Sequence, residues 1–366
     1  MTRVLQLLDD SRDFQAHRSV EVLARGDLGP EFDVQVRTIG RGGEFRNVTS
    51  AVRGLWRQRP DAFDIVHAWG RAALTSAAVA GRWRIAFTPS RFLGPRGVGW
   101  VRAVMAYRDV HVVCTTATQR RVCVERGVPI DRAHLVRPGV EFARVRRRRD
   151  PDLRRKLGFS DEDVVVLAAG ESTRAAAHED AVTGVAIAHY LDPRFRLLLW
   201  GRGVRAGHAA RRAAIAVRGG NLASVAEARL ARAVEFEELL PAADAVVVTA
   251  RGPVATLPIA ICMAAGLPIV STVTYTVAEL LEDRHTALMT PAGAPRRLAR
   301  RLVELREDAG TQWTIADTAR TEAYEYFSLT RFLDQFRAAY RQIATGAKVE
   351  VPEPAPGAGR RFHGRV

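Results

Sequence analysis

Short β-branched runs alternate with stretches of helical periodicity along this chain, and they do so twice. No other feature constrains the fold as much, because such alternation builds parallel sheets covered by helices on both faces. In the first half, Val4–Leu8, Phe32–Thr38, Asp64–His67, Arg84–Phe87, Val110–Cys114 and His134–Arg137 read as strands. Gln15–Leu23, Val48–Arg59 and Ala72–Ala80 read as the helices between them. The second half restarts with the apolar run Asp163–Ala169, followed by Arg196–Trp200, a weaker Leu222–Val225, Ala245–Val248 and Pro268–Thr272. Its predicted helices are Thr173–Tyr190, Leu257–Ala265, Pro295–Ala309, Gln312–Tyr326 and Leu329–Thr345.

At 366 residues the chain has length for two domains of ordinary size. A break in composition at 143–156, proline-bearing and arginine-rich, reads as the linker between domains 1–142 and 157–328. Residues 346–366 lack periodicity and read as a disordered tail. The expected fold class is therefore α/β, with two Rossmann-like domains.

Charge and cysteine usage exclude other classes. The net charge of +15 invites a nucleic-acid or anionic-membrane reading. Yet 53 of the 55 basic residues are arginines spread along the whole chain, and no aromatics interleave with them as base-stacking platforms. Specific nucleic-acid binding is not expected, whereas weak electrostatic contact with an anionic membrane surface is. The densest run, Arg144 with Arg146 to Arg149, reads as a solvated segment. Cys114, Cys123 and Cys262 lie far apart, and the nine histidines show no metal-ligand spacing, so no metal and no bound cofactor is expected. With no apolar run of about 18 residues, the expectation is a cytoplasmic protein, peripheral to the inner face of the membrane at most.

Specific motifs follow in order along the chain. They are Asp64-Ile65-Val66-His67-Ala68-Trp69-Gly70, Arg137-Pro138-Gly139-Val140-Glu141, Gly201-Arg202-Gly203 after a strand, and Glu237-Glu238-Leu239-Leu240-Pro241 before Ala243-Asp244-Ala245. Met263-Ala264-Ala265-Gly266-Leu267-Pro268-Ile269-Val270, Val277 to Asp283, Thr286 to Gly293 and Phe327-Ser328 complete the series. Together they resemble the family-4 glycosyltransferases of GT-B architecture, over roughly residues 1–345. The resemblance implies two domains facing across a cleft. The second would hold a nucleotide-sugar co-substrate, the first an acceptor, and residues 329–345 would form a helix crossing back to the first domain. It also implies transfer with retention and without a metal.

At several positions the chain departs from that pattern. The family carries two glutamates eight positions apart, one orienting the sugar and one accepting the ribose hydroxyls; Pro253 and Ile261 stand there instead. Glu171 and Ala176 replace the arginine and lysine that neutralise the leaving diphosphate, with Ser172, Thr173 and Arg174 nearby as substitutes. Thr274, Tyr275, Thr276 and Val277 take the place of a glycine-rich loop, and Glu279 matches a retained glutamate. These residues and Arg202 are the donor-side candidates. His67 and Ser90 are the acceptor-side candidates, the family's usual histidine after the fourth strand being absent from Phe87-Thr88-Pro89-Ser90. Three readings stay open: a hexosyltransferase, a catalytically inactive GT-B binding or scaffold protein, and, more weakly, a basic nucleic-acid binder.

Overall fold

A computed structural model describes residues 1–9, 13–39, 44–59, 61–81, 83–145, 148–171, 173–200, 229–231 and 235–346. The predicted strand Leu222–Val225 and the predicted tail beyond residue 346 lie outside them. The first domain comprises β1 (Thr2–Leu8), α1 (Phe14–Ala24), β2 (Phe32–Thr38), α2 (Glu44–Trp56), β3 (Ile65–Trp69), α3 (Arg71–Ala80), β4 (Arg84–Thr88), α4 (Pro95–Met105), β5 (Val110–Cys114), α5 (Ala117–Glu125) and β6 (Ala133–Leu135). Its six strands pair in parallel in the order β2-β1-β3-β4-β5-β6. Every residue of β3 and β5 is buried, as in a parallel sheet covered by helices on both faces.

The second domain comprises α6 (Pro151–Lys156), β7 (Val164–Ala168), α7 (His178–Leu191), β8 (Phe195–Trp200), β9 (Arg229–Ala231), β10 (Ala245–Val248), α8 (Leu257–Ala264), β11 (Ile269–Thr272), β12 (Leu288–Thr290), α9 (Pro295–Glu307) and α10 (Ala309–Phe327). Its strand order is β12-β11-β10-β7-β8-β9, all parallel. Counted from β7, that is the doubly wound order in which connections reverse direction between β7 and β10. Ligands of open α/β sheets bind at that reversal, outside the carboxyl ends of the strands.

The final helix, α11 (Leu329–Thr345), leaves the second domain and packs on the first. Phe332, Leu333, Phe336, Tyr340 and Ile343 enter one apolar cluster with Val4, Leu8, Val20, Leu23 and Trp69. The crossing is tight. Val140 N–H donates to the Phe327 carbonyl at 2.8 Å, and a Cβ on Gly139 would stand 2.7 Å from Phe332.

Three expectations need correction. Residues 143–156 are not a bare linker: Asp150 caps α6, and the Arg154 side chain is wholly buried in the second domain. Its guanidinium donates to Asp244 and to the carbonyls of Ala242, Ser160 and Asp163. The helix expected from Thr173 starts only at His178, because Ala177 takes a left-handed conformation (φ 46°) after a turn in which Thr173 Oγ1 accepts from Ala176 N–H. Helices α4 and α5 were not expected, since glycines interrupt the periodicity of α4 and α5 is polar nearly all round.

Candidate functional site

At the reversal between β7 and β10, a segment of the first domain meets the second. Asp13 caps α1, its Oδ1 accepting from Ala16 N–H, and the helix begins with Phe14 and Gln15. Phe14 is 1% exposed although it sits at the very start of its helix. Its ring belongs to the core of the second domain, meeting Trp200 edge-on at 4.9 Å and Phe236 at 6.1 Å. Trp200 is the last residue of β8, so this contact lies at the carboxyl edge of the sheet.

Gln15, buried beside it, presents Oε1 to the N-terminus of α8. That oxygen accepts from the backbone N–H groups of Thr256 at 3.0 Å and Leu257 at 3.1 Å. In the opposite direction, Glu171 Oε1 accepts from Phe14 N–H at 3.0 Å, placing a carboxylate at the positive end of α1. Arg18, one turn along α1, bridges Glu235 and Glu237 of the second domain at 3.1 Å each.

A further clasp closes the cleft elsewhere. The Glu279 carboxylate accepts from Ala117 N–H at 2.7 Å and Thr118 N–H at 2.6 Å, capping α5 across the domains. Tyr275 and Phe92 pack ring to ring at 5.0 Å. At the first domain's own reversal, Asp9 Oδ2 approaches Ala72 N–H of α3 at 3.4 Å. Gly70 admits that carboxylate, since a Cβ there would lie 2.9 Å from it. The N-termini of α1, α3, α5 and α8 are thus all covered by side-chain oxygens of the chain itself.

The structure separates the donor-side candidates. Thr173 and Arg174 are exposed after β7, while Ser172 and Arg202 lie outside the described residues. Thr274 Oγ1 stands 3.4 Å from Val277 N–H and from Thr276 Oγ1; Thr276 is buried and Tyr275 half exposed. Glu279 is brought to the cleft, where it serves α5. Ile261, at the position of a family glutamate, is 2% exposed within the second domain's core, as all eight residues of α8 are buried. Pro253 lies in the loop before α8.

On the acceptor side, Ser90 is half-buried just after β4. His67 lies wholly inside the first domain beneath α11. Its Nδ1 meets Tyr340 Oη at 2.7 Å and its Nε2 meets Thr88 Oγ1 at 2.8 Å. Gln6 joins the network, donating to Tyr340 and accepting from Trp69 Nε1. Burial pushes the His67 imidazole down to about 3, so the ring is neutral. In this structure His67 ties α11 to the sheet.

Phe14 and Gln15 were missed by sequence reasoning. The available signal was position: they follow β1 at a carboxyl edge, where loop residues face the ligand crevice.

Two Rossmann-like domains, each a six-stranded parallel sheet covered by helices, are the GT-B fold. Residues 163–308, which lie in the second domain, match the family described as Glycosyl transferases group 1. No curated protein matches it at the sequence level. Solved structures match it nearly end to end. A glycosyltransferase from Rickettsia africae aligns with TM-score 0.77 and 15% identity, over 94% of this chain and 99% of that one. Sucrose-phosphate synthase from Thermosynechococcus elongatus aligns at 0.76 and 15%, over 95% and 100%. Anabaena HepE, solved with UDP and glucose, aligns at 0.73 and 16%, over 93% and 100%. At such identities these likenesses define the fold.

Proposed function

We propose that this protein is a hexosyltransferase that takes a nucleoside diphosphate sugar at the second domain and passes the sugar to an acceptor bound by the first. The family match over residues 163–308, centred on the reversal of strand order, carries this reading. A uridine diphosphate sugar is the first donor to try, because HepE is solved with UDP-glucose.

In this reading the diphosphate lies at the carboxyl ends of β7 and β10. Arg174, exposed after β7, and Arg202 offset its charge as it leaves, and backbone N–H groups of the 274–277 turn add hydrogen bonds. Transfer proceeds with retention and without a metal, by positioning and leaving-group stabilisation. Neither Pro253 nor Ile261 offers a side-chain acceptor for the hydroxyls of the donor. Each buried hydroxyl left unpaired costs roughly 1–3 kcal/mol, so a weak donor Kd is expected unless backbone carbonyls take over.

The same two residues favour a second reading, a GT-B protein that binds a nucleotide-sugar without turning it over. Thermal-shift titration with UDP-, GDP- and ADP-sugars, followed by product analysis of the anomeric configuration with and without EDTA, separates the two. A melting point raised by a donor, with released nucleotide and retained configuration, supports the transferase. Binding without turnover supports the second reading, and absence of binding at millimolar donor overturns the transferase and leaves a GT-B scaffold protein.

A further inference from the structure

We infer that Phe14 and Gln15 form an intramolecular latch, seated in the crevice between β7 and β10, that withdraws before a nucleoside diphosphate enters. The inference rests on the donor reading above and adds how that site is gated. The latch belongs to the first domain by chain and to the second by packing. Phe14 fills apolar space against Trp200 and Phe236 at the carboxyl edge of the sheet. Gln15 occupies the two foremost N–H groups of α8, in the interval between Pro253 and Ile261. The Glu171 carboxylate pins the latch from the far side by accepting from Phe14 N–H. These three groups stand where the strand order reverses, the place at which ligands of open α/β sheets bind.

The chemistry of Gln15 makes the latch displaceable. A helix N-terminus favours a negative ligand, and bonds to a charged acceptor are roughly twice as strong as bonds to a neutral one. Gln15 supplies a neutral amide oxygen, so an anionic phosphate competes at an advantage for the same N–H groups. Because α1 moves with the first domain, withdrawal of the latch and opening of the cleft are one motion. Arg18 resists it through Glu235 and Glu237, and Glu279 through α5.

Two substitutions of opposite sign test the inference in the full-length chain. Gln15→Leu removes the acceptor while keeping an apolar body of similar size. Gln15→Glu converts it into a charged acceptor. Amide exchange at Thr256 and Leu257 is measured without ligand, and binding of pyrophosphate, UDP and GDP by calorimetry. Gln15→Leu is expected to speed that exchange and to bind the anionic probes about tenfold more tightly, the equivalent of one to two hydrogen bonds released. Gln15→Glu is expected to slow the exchange and weaken binding. Should wild type and both variants bind a probe equally well, the latch is overturned and the donor reading stands. Should none of them bind any probe at millimolar concentration, the donor reading falls and the latch as a gate falls with it.

Discussion

Buried ionisable groups set how this protein responds to acid. Burial holds His67 near 3 and His134 near 4, the latter also repelled by His111 and Arg120, against an ordinary value of 6.5. The folded state keeps both rings neutral, while the unfolded state protonates them once the pH falls below 6.5. Their contribution is therefore complete above that pH and is lost progressively on acidification, down to 4 for His134 and 3 for His67. Between pH 7 and 5 the pair should remove on the order of 4 kcal/mol of stability, a loss that urea titrations at the two pH values would measure. His67→Phe should flatten part of that slope at the expense of the Tyr340 and Thr88 hydrogen bonds. Ile261→Glu, which would restore a family carboxylate, should instead lower the melting point sharply. It places an unpaired charge among buried apolar side chains, so the folded fraction by circular dichroism is the quantity to follow.

At the level of helices and strands, much of the protein was legible because period and burial agree. Strands β2, β5 and β10 and helix α11 fall on their predicted bounds. What sequence did not reveal was contact between elements. Gln15 and Leu257 are 242 positions apart, and Phe14 at the head of a helix looks like any core aromatic. Local patterning carries no information about which domain buries it. The candidate site was legible in the same uneven way. Glu279 was singled out by its motif, but its employment on α5 depends on how the domains close. Glu279→Ala should cost about 1 kcal/mol, as loss of an N-cap does, and should deprotect Ala117 and Thr118 in amide exchange far more than the rest of α5. Gly139→Ala tests the crossing. The added methyl meets Phe332 at 2.7 Å, and overpacking of this kind typically costs 1–3 kcal/mol, to be read as a lower denaturation midpoint.

For the whole molecule, charge and closure are linked. Within the basic run at the domain boundary, Arg144 pairs with Glu21 and Glu141 and Arg149 with Asp244, and further along Arg155 pairs with Asp152. Anionic vesicles should accordingly bind this protein only at low salt, and co-sedimentation should vanish near physiological ionic strength, where the screening length is about 8 Å. Salt-resistant binding would require apolar insertion, and among the described residues no helix is long and apolar enough to cross a membrane.

The passage of α11 back to the first domain has a consequence for biosynthesis. Gln6 finds its partner Tyr340 only 334 residues later, and the core beneath β1 is incomplete until Phe332, Phe336 and Ile343 arrive. At about 5–20 residues per second, a ribosome takes some tens of seconds to cover that distance. Throughout that interval the part of the first domain that α11 covers lacks Phe332, Phe336 and Ile343, and the second domain's core is itself complete only when α10 delivers Phe327, just ahead of α11. The amino-terminal half therefore matures no earlier than the carboxyl-terminal half, although it is made first. A trigger for aggregation or chaperone capture is built into translation itself, and a stalled chain ending near Ser328 is the species in which it would be seen.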